Sequence, residues 1–250
     1  CLVGSEMCIR DSVTQVFAKL SNLIYPRRCP ICDEITGGAE KLICDSCRTV
    51  LQPVREPVCM KCGKPLSKEE AEYCPDCLRR KHRYEKGRAV FLYDRVMRAS
   101  ISRFKYHNRR EYADFYAEEL LRAHGRMLRS WQPDALIPVP LHKSRMRKRG
   151  FNQAALVAER MGERLGIPVE EKLLIRVKKT SPQKELNDSA RRENLKNAFQ
   201  LCGNDVKLKR VVLIDDIYTT GSTLDAAAAA LLAAGVEKVY FLSICIGRGF

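Results

Sequence analysis

Several features that define common classes of protein are missing from this sequence of 250 residues. No run of eighteen apolar residues occurs, which excludes a transmembrane helix of the usual length. Residues 1–11 contain no apolar stretch of the kind that forms the core of a signal peptide, and we interpret them as a non-native leader. Neither Gly-x-x-x-x-Gly-Lys nor Gly-x-Gly-x-x-Gly occurs, which argues against a P-loop and against a dinucleotide-binding fingerprint.

The most informative segment is residues 211–223, where a short apolar run meets two acids and a series of small residues. Residues 211–214 are all apolar and three are β-branched, which predicts a strand buried on both faces. Asp215 and Asp216 follow, and then the small residues Thr219, Thr220, Gly221, Ser222 and Thr223. The Ala- and Leu-rich residues 226–234 predict a helix after them. Backbone N–H groups and the positive end of that helix would form an anion site.

These thirteen residues resemble the phosphoribosyl pyrophosphate (PRPP) signature of type I phosphoribosyltransferases. The resemblance implies that Asp215 and Asp216 face the ribose hydroxyls of PRPP, and that the loop of residues 219–223 holds the 5′-phosphate. It also implies that Mg²⁺ accompanies the ligand. Tyr218 departs from the general pattern, because most members carry a small aliphatic residue there. The alternative is an ordinary buried strand followed by a capped helix, which would not require paired acids at the end of the strand.

Eight cysteines form four Cys-x-x-Cys pairs that repeat with a period of thirty residues. They are Cys29, Cys32, Cys44, Cys47, Cys59, Cys62, Cys74 and Cys77. Two such pairs supply the four thiolates of a tetrahedral zinc site, and a segment with few large apolar residues needs metal to fold. Disulfides are the alternative, but without a signal peptide we expect a reducing compartment. The repeat predicts two structural Zn²⁺ ions, with ligand sets within each repeat favoured over interleaved sets.

The chain is predicted to consist of a small N-terminal module and a larger α/β domain. Residues 12–25 have the spacing of an amphipathic helix, residues 26–80 hold a double zinc ribbon, and residues 86–250 form the phosphoribosyltransferase-like domain. The formal net charge is +15, and eight zinc-bound thiolates with two Zn²⁺ would lower it to about +11. This charge favours polyanionic partners, although an inert basic surface is the alternative. The basic residues 79–83 are expected to form a solvated linker, with a nucleic-acid contact as the alternative.

The predicted fold class is α/β, with a type I phosphoribosyltransferase-like parallel sheet flanked by helices and a small N-terminal zinc-ribbon module. Strands are expected at residues 89–93, 134–140, 172–177 and 239–246, with Phe199 and Leu201 rejoining the sheet, and helices at 96–106, 112–128 and 151–165. The aromatic residues of the second helix are expected to lie in the core.

A basic loop is expected after the strand at residues 134–140, where an α/β sheet binds ligands. In the fold that the PRPP motif resembles, this loop meets the pyrophosphate, which makes Lys143 and Arg145 candidates for binding it, since cationic donors match that anion. A solvated basic face is the alternative. The polar residues 178–197 are expected to act as a lid or binding loop.

Taken together, the motifs resemble the ComF competence family over nearly all of residues 23–247. They are the cysteine pairs, Pro-Val-Pro-Leu at 138–141, Arg-Gly-Phe-Asn-Gln at 149–153, Gln183 with Arg-Arg-Glu-Asn at 191–194, and the segment 215–223. Tyr218 fits this subgroup. The resemblance implies a cytoplasmic bacterial protein that is linked to DNA uptake or to the use of imported DNA, with a ComF-type helicase as partner.

Two classes of function remain open from the sequence. The first is an enzyme that transfers ribose 5-phosphate from PRPP to an acceptor. The second is a non-catalytic adaptor that binds single-stranded DNA and in which the PRPP pocket is a sensor or has lost its activity. The intact pair of acids and the small-residue loop favour a competent pocket, but no motif identifies an acceptor.

Overall fold

The computed structural model describes residues 26–38, 40–177, 198–203 and 207–248. The predicted leader, the helix at 12–25 and the polar segment at 178–197 lie outside these residues. Within the described part of the chain, no helix has the length and apolar character needed to cross a membrane.

The central sheet contains four strands, and every neighbouring pair is parallel. The strands are β1 (Gly87–Leu92), β2 (Ala135–Pro138), β5 (Arg210–Tyr218) and β6 (Lys238–Ile246). Their order is β1-β6-β5-β2, so β5 lies between two partners. Residues 211–214 are fully buried, which confirms the strand predicted from their continuous apolar run.

Helices pack on both faces of this sheet. The helices α3 (Arg95–Tyr106), α4 (Tyr112–Ser130) and α6 (Gln153–Leu165) share one core with Val212 and Ile214 of β5. Helix α7 (Ser222–Ala233) covers the other face and shares a core with Val211 and Leu213. The aromatic side chains of α4 are completely buried, as expected from their helical spacing. The predicted fold class is therefore confirmed.

A second, two-stranded antiparallel sheet stands apart from the central one. It consists of β3 (Leu174–Arg176) and β4 (Phe199–Leu201). The expectation that Phe199 and Leu201 rejoin the main sheet is therefore wrong. Leu174 and Arg176 are buried while Ile175 is exposed, and this alternation is typical of a strand covered on one face only. Segments of three residues carry too little pattern to assign a strand to one sheet or another.

The predicted basic loop after β2 is mostly helical, which corrects the expectation of an irregular segment. Helix α5 (Lys143–Arg149) begins after His142, whose side chain accepts a hydrogen bond from the Ser144 N–H. It ends at Gly150, which adopts a left-handed conformation with φ of 78°. Capping at both ends explains why a short, highly charged segment is helical.

The cysteine repeats pack directly on the α/β domain. Two short helices, α1 (Asp45–Thr49) and α2 (Pro75–Arg79), begin immediately after Cys44 and Cys74. The N–H of Gly87, at the start of β1, donates to the carbonyl of Lys61 at 2.8 Å. The linker at residues 79–83 is not simply solvated, since the His82 side chain is fully buried.

Candidate ligand pocket and zinc sites

A cavity of about 440 Å³ lies at the carboxyl ends of three strands of the central sheet. Tyr93 follows β1 and Val139 follows β2. Asp215 and Asp216 lie near the carboxyl end of β5. All strands of this sheet are parallel, so their carboxyl ends converge on one edge. The volume lies within the range of about 300–1,000 Å³ that small-molecule sites occupy.

The two acids occupy different environments within this cavity. Asp215 Oδ1 accepts a hydrogen bond from the Asp216 N–H at 2.8 Å, which holds its carboxylate against the backbone. Asp216 Oδ2 lies 2.8 Å from Lys105 Nζ, and both of these side chains are largely buried. One carboxylate is therefore held by the strand itself and the other by a cation from α3.

Burial strongly affects the first of these acids. Desolvation, with a smaller contribution from the neighbouring carboxylate of Asp216, raises the pKa of Asp215 to about 7. The Asp216 N–H, Lys105 and Arg176 act in the opposite direction. An acid whose pKa is shifted in a cleft by burial and a specific charged neighbour is typical of a functional site.

The loop of residues 219–223 forms the cavity wall at the N-terminus of α7. Thr219 and Thr223 line the cavity, and the hydroxyls of Thr220 and Ser222 lie 2.9 Å apart. Gly221 is the N-cap and has a φ of 78°, which favours a residue without Cβ. The first N–H groups of α7 and its helix dipole are suited to an anion at this end.

Among the described residues, five basic side chains also line the cavity, and they come from three elements. Arg98 and Lys105 lie on α3, Arg145 and Arg149 on α5, and Arg176 on β3. Lys143, which the sequence also suggested, is exposed at the start of α5 and does not line the cavity. Five cations against two acids make the cavity suitable for a ligand that carries several negative charges.

Two of these arginines are positioned by neighbouring side chains. Arg149 donates to Gln153 Oε1 at 2.9 Å and to Tyr106 Oη at 3.0 Å. Arg176 is buried and packs over the Phe199 ring at 5.4 Å. Desolvation, followed by repulsion from Arg145, lowers the pKa of Arg176 to about 10, so its guanidinium remains charged at neutral pH.

Sequence reasoning missed Lys105, Arg98 and Arg176 as cavity residues. The two α3 residues look like ordinary solvent-exposed cations on an amphipathic helix, and no local pattern distinguishes them. A weak indication for Arg176 was present in the sequence. It lies two residues after Leu174, and alternate residues of a strand share a face, so both fall on the buried side.

The eight cysteines form two groups, each within one thirty-residue repeat. We call Cys29, Cys32, Cys44 and Cys47 the first cluster, and Cys59, Cys62, Cys74 and Cys77 the second cluster. In each cluster the four Sγ atoms all lie within 4.8 Å of one another. The structure thus places the ligand sets within repeats rather than between them.

The spacing of these sulfur atoms fits zinc. Zn–S bonds of about 2.3 Å in a tetrahedron place neighbouring sulfurs roughly 3.8 Å apart. The Sγ atoms of Cys32 and Cys44 lie 3.9 Å apart, and those of Cys62 and Cys74 lie 3.6 Å apart. Each cluster could therefore hold one tetrahedral Zn²⁺ without rearrangement of the backbone.

Comparisons with known families agree with this arrangement. The double zinc ribbon domain matches residues 20–78, and the phosphoribosyl transferase domain matches residues 146–248. The fold and the site therefore define a phosphoribosyltransferase-type α/β protein with an N-terminal double zinc ribbon.

Curated relatives identify the family within that class. The chain is 35% identical over 217 residues to Competence protein F of Haemophilus influenzae, covering 85% of this chain and 93% of the relative. It is 31% identical over 232 residues to Competence protein ComFC of Bacillus subtilis, with 85% and 91% covered. It is 30% identical over 230 residues to DNA utilization protein YhgH of Salmonella typhimurium, with 89% and 98% covered. The protein belongs to the ComF competence family.

Proposed function

We propose that the cavity binds PRPP, or a related ribose 5-phosphate ligand, in the orientation that its charge distribution dictates. The 5′-phosphate would accept hydrogen bonds from the 219–223 loop at the N-terminus of α7. Asp215 and Asp216 would accept hydrogen bonds from the two ribose hydroxyls, and the basic side chains would face the pyrophosphate. The observation that carries the proposal is that residues of the 219–223 loop, the two acids and five basic side chains line the same cavity.

Mg²⁺ belongs to the same proposal. Carboxylate oxygens and phosphate oxygens are the ligands that Mg²⁺ prefers, and Asp215 and Asp216 present carboxylates to the cavity. When bound with the ligand, the ion would neutralise charge on the departing pyrophosphate. Lys105 on α3 already pairs with Asp216, so part of the negative charge of the two acids is neutralised by the protein itself.

A transfer reaction in this cavity would break the bond between ribose C1 and the pyrophosphate oxygen and form a bond from C1 to an acceptor atom. Positive charge develops on the ribose ring in such a step, and Asp215 and Asp216 would stabilise that charge. The cations of α3, α5 and β3 would retain the pyrophosphate. Lys105 and Arg145 belong to different helices, α3 and α5, so the leaving group would be held by side chains from two elements.

Two measurements test this function. Isothermal titration with PRPP and Mg²⁺ should give saturable binding, and the same experiment with ribose 5-phosphate and with pyrophosphate separates the two halves of the cavity. A pyrophosphate-release assay over nucleobases and small amines then identifies an acceptor. The absence of binding to all three ligands would contradict the proposal. Binding without release for any acceptor would favour a sensor role over a transferase.

A second candidate function is binding of single-stranded DNA, in a protein that takes part in DNA uptake or in the use of imported DNA. Relatives are named for competence and for DNA utilization, which supports this biological role. The specific observation is that Lys143, Arg147 and Lys148 are all exposed on α5, next to the cavity. Such a surface binds the phosphates of single strands without reading sequence.

A cytoplasmic location and a ComF-type helicase as partner complete the proposal, as the family resemblance implies. Eight cysteines arranged as two thiolate clusters are suited to a reducing compartment. Co-purification of the full-length protein with its helicase, in the presence and absence of single-stranded DNA, tests the partnership.

A further inference from the structure

Tyr218 lies between the second cluster and the 219–223 loop, because its ring is approached by Lys64 of the ribbon and its hydroxyl lies against Gly221. Tyr218, the last residue of β5, is completely buried and stacks on Phe241 at a centroid distance of 4.9 Å. Its hydroxyl lies 2.7 Å from the Tyr84 hydroxyl. Tyr218 and Tyr84 belong to the same buried core as Cys59, Cys62 and Cys74. The residue that is unusual for phosphoribosyltransferases therefore faces the zinc ribbon, not the ligand cavity.

The linker between the two modules contributes to the same packing. His82 stacks on Tyr84 with ring centroids 4.8 Å apart, and its Nδ1 lies 2.6 Å from Asp225 Oδ2. Asp225 lies in the first turn of α7, and its other carboxylate oxygen accepts from the Arg83 N–H at 2.9 Å. The linker is thus fastened to the helix that begins at the 219–223 loop.

The loop backbone has no free space against these side chains. A Cβ placed on Gly221 would lie 2.8 Å from Tyr218 Oη and 3.1 Å from His82 Cε1, both too short for an ordinary contact. The positions of Tyr218 and His82 therefore limit where the backbone of Gly221 can lie. A shift of either ring would change the N–H groups that face the ligand.

The second cluster in turn determines where Tyr218 lies. Lys64 Nζ sits 5.8 Å from the centre of the Tyr218 ring and forms a nearly buried ion pair with Asp76 at 2.6 Å. Lys64 follows the Cys59-x-x-Cys62 turn, and Asp76 lies between Cys74 and Cys77. Metal that joins the two turns would hold Lys64 and Asp76 together over the tyrosine.

Within the part of the chain that the structure describes, the first cluster has no such connection to the loop, and it provides an internal control. It packs against α3 and α4, where the Arg103 guanidinium donates to the Pro30 carbonyl at 3.2 Å and the Tyr112 hydroxyl donates to Asp33 at 2.6 Å. Cys29 belongs to the core on the opposite face of the sheet from Tyr218. Both clusters have the same ligand chemistry, but among the described residues only the second is linked to Gly221 through Tyr218.

We propose that the second cluster and the 219–223 loop form one coupled unit, with Tyr218, Tyr84 and His82 as positioning residues. Zinc at the second cluster favours the loop conformation that binds the 5′-phosphate, and a bound phosphate in turn favours retention of that zinc. This reciprocity is required whenever two ligands stabilise the same conformation. The inference rests on the proposed function, because it assumes that the loop binds a phosphate.

The first test uses ligands that occupy different halves of the cavity. Tyr218→Phe and Tyr84→Phe each remove one hydroxyl of the pair and should weaken binding of ribose 5-phosphate by about three- to tenfold, as expected for one lost buried hydrogen bond. Their binding of pyrophosphate should be unchanged, because it would face the cations on the other side. The double variant should be no weaker than either single variant, since both remove the same contact. Equal weakening for both ligands would indicate general destabilisation and overturn the inference.

The second test needs no substitution, so it does not depend on a variant that folds. Wild-type protein is incubated with a chelator and an isotope-coded alkylating reagent, with or without ribose 5-phosphate, and each cysteine peptide is quantified by mass spectrometry. Ribose 5-phosphate should slow alkylation of the second cluster several-fold and leave the first cluster unchanged. Equal protection of both clusters, or of neither, contradicts the coupling.

The outcomes separate this inference from the proposed function. Wild-type protein that fails to bind ribose 5-phosphate in the titration would overturn the function and the inference together. Wild-type protein that binds ribose 5-phosphate, but whose second cluster is not protected and whose tyrosine variants bind normally, would overturn only the inference.

Discussion

Lys105 Nζ lies 2.8 Å from Asp216 Oδ2, so a cation from α3 neutralises one of the two acids near the carboxyl end of β5. The side chains are 14% and 16% exposed, so water screens this pair only partly. Lys105 also lines the cavity beside Arg98, which lies two turns earlier on the same helix. The lysine is therefore placed to bind an anionic ligand as well as to hold the carboxylate.

Lys105→Met should weaken PRPP binding by about tenfold to a hundredfold, because the ligand loses a charge-assisted contact and Asp216 loses its partner. Lys143→Met tests the candidate suggested by sequence, which is exposed outside the cavity, and should cost less than about threefold. Titration calorimetry measures both. Equal losses for the two variants would mean that Lys143 also contacts the ligand in the bound state.

The double substitution Asp215→Asn with Asp216→Asn should abolish detectable PRPP binding while the protein stays folded. Both acids lie at the carboxyl end of β5 and line the cavity, so their loss removes acceptors for the ribose hydroxyls without leaving a hole in the core. Circular dichroism controls for folding. Unchanged affinity in the double variant would overturn the assignment of the cavity.

The raised pKa of Asp215 predicts a pH-dependent effect on stability. Because the folded-state pKa of about 7 exceeds the ordinary value of 3.8, the folded protein holds a proton that the unfolded chain releases between these values. The contribution of Asp215 to the free energy of unfolding therefore falls as pH rises from 4 to 7 and stays lower above 7. Asp215→Asn removes this penalty, which amounts to at most about 4 kcal/mol.

The measurement is thermal unfolding of wild type and Asp215→Asn between pH 4 and pH 8. The variant should gain stability relative to wild type as pH rises, and the difference should be small at pH 4. If stability changes with pH in the same way for the two proteins, burial does not raise the pKa of Asp215.

Purified protein kept reduced throughout should contain two zinc ions per chain, one for each cluster. Removal of zinc with a chelator should lower the midpoint of thermal unfolding, because the ribbon has little apolar core of its own and depends on metal to fold. Elemental analysis measures the content. Absence of zinc would contradict the assignment, and a single ion would mean that one cluster does not bind metal.

Binding of single-stranded DNA should weaken steeply with salt, with a slope of roughly 0.7 for each phosphate neutralised. Replacement of Arg79, Arg80, Lys81 and Arg83 by serine should reduce that slope and leave PRPP binding unchanged, provided that His82 is retained beneath the loop. Replacement of both Lys143 and Arg145 should weaken DNA binding. It should also weaken PRPP binding, because Arg145 lines the cavity. Fluorescence anisotropy at several salt concentrations measures the slope. No binding at low salt would exclude the adaptor role for the isolated chain.

Contiguous patterns allowed the sequence to predict much of this protein. The residues of the 211–223 segment lie within one strand, one loop and one helix start, so their local order already brings acids and hydroxyls together. The Cys-x-x-Cys pairs likewise place two thiolates on one turn, and the thirty-residue repeat predicts two sites. The parallel sheet follows from continuous apolar strands that alternate with amphipathic helices.

Contacts between distant segments were decided only by tertiary structure. Lys105 and Arg176 are ordinary basic residues in the sequence, and they enter the cavity because α3 and β3 pack beside the carboxyl edge of the sheet. His82 sits within a basic run that looks solvated, yet its side chain is buried where it pairs with Asp225, which lies far away in the sequence. Sequence by itself determined which groups are available as ligands. Long-range packing decided which of them face the same cavity, because that depends on surfaces formed by segments far apart in the chain.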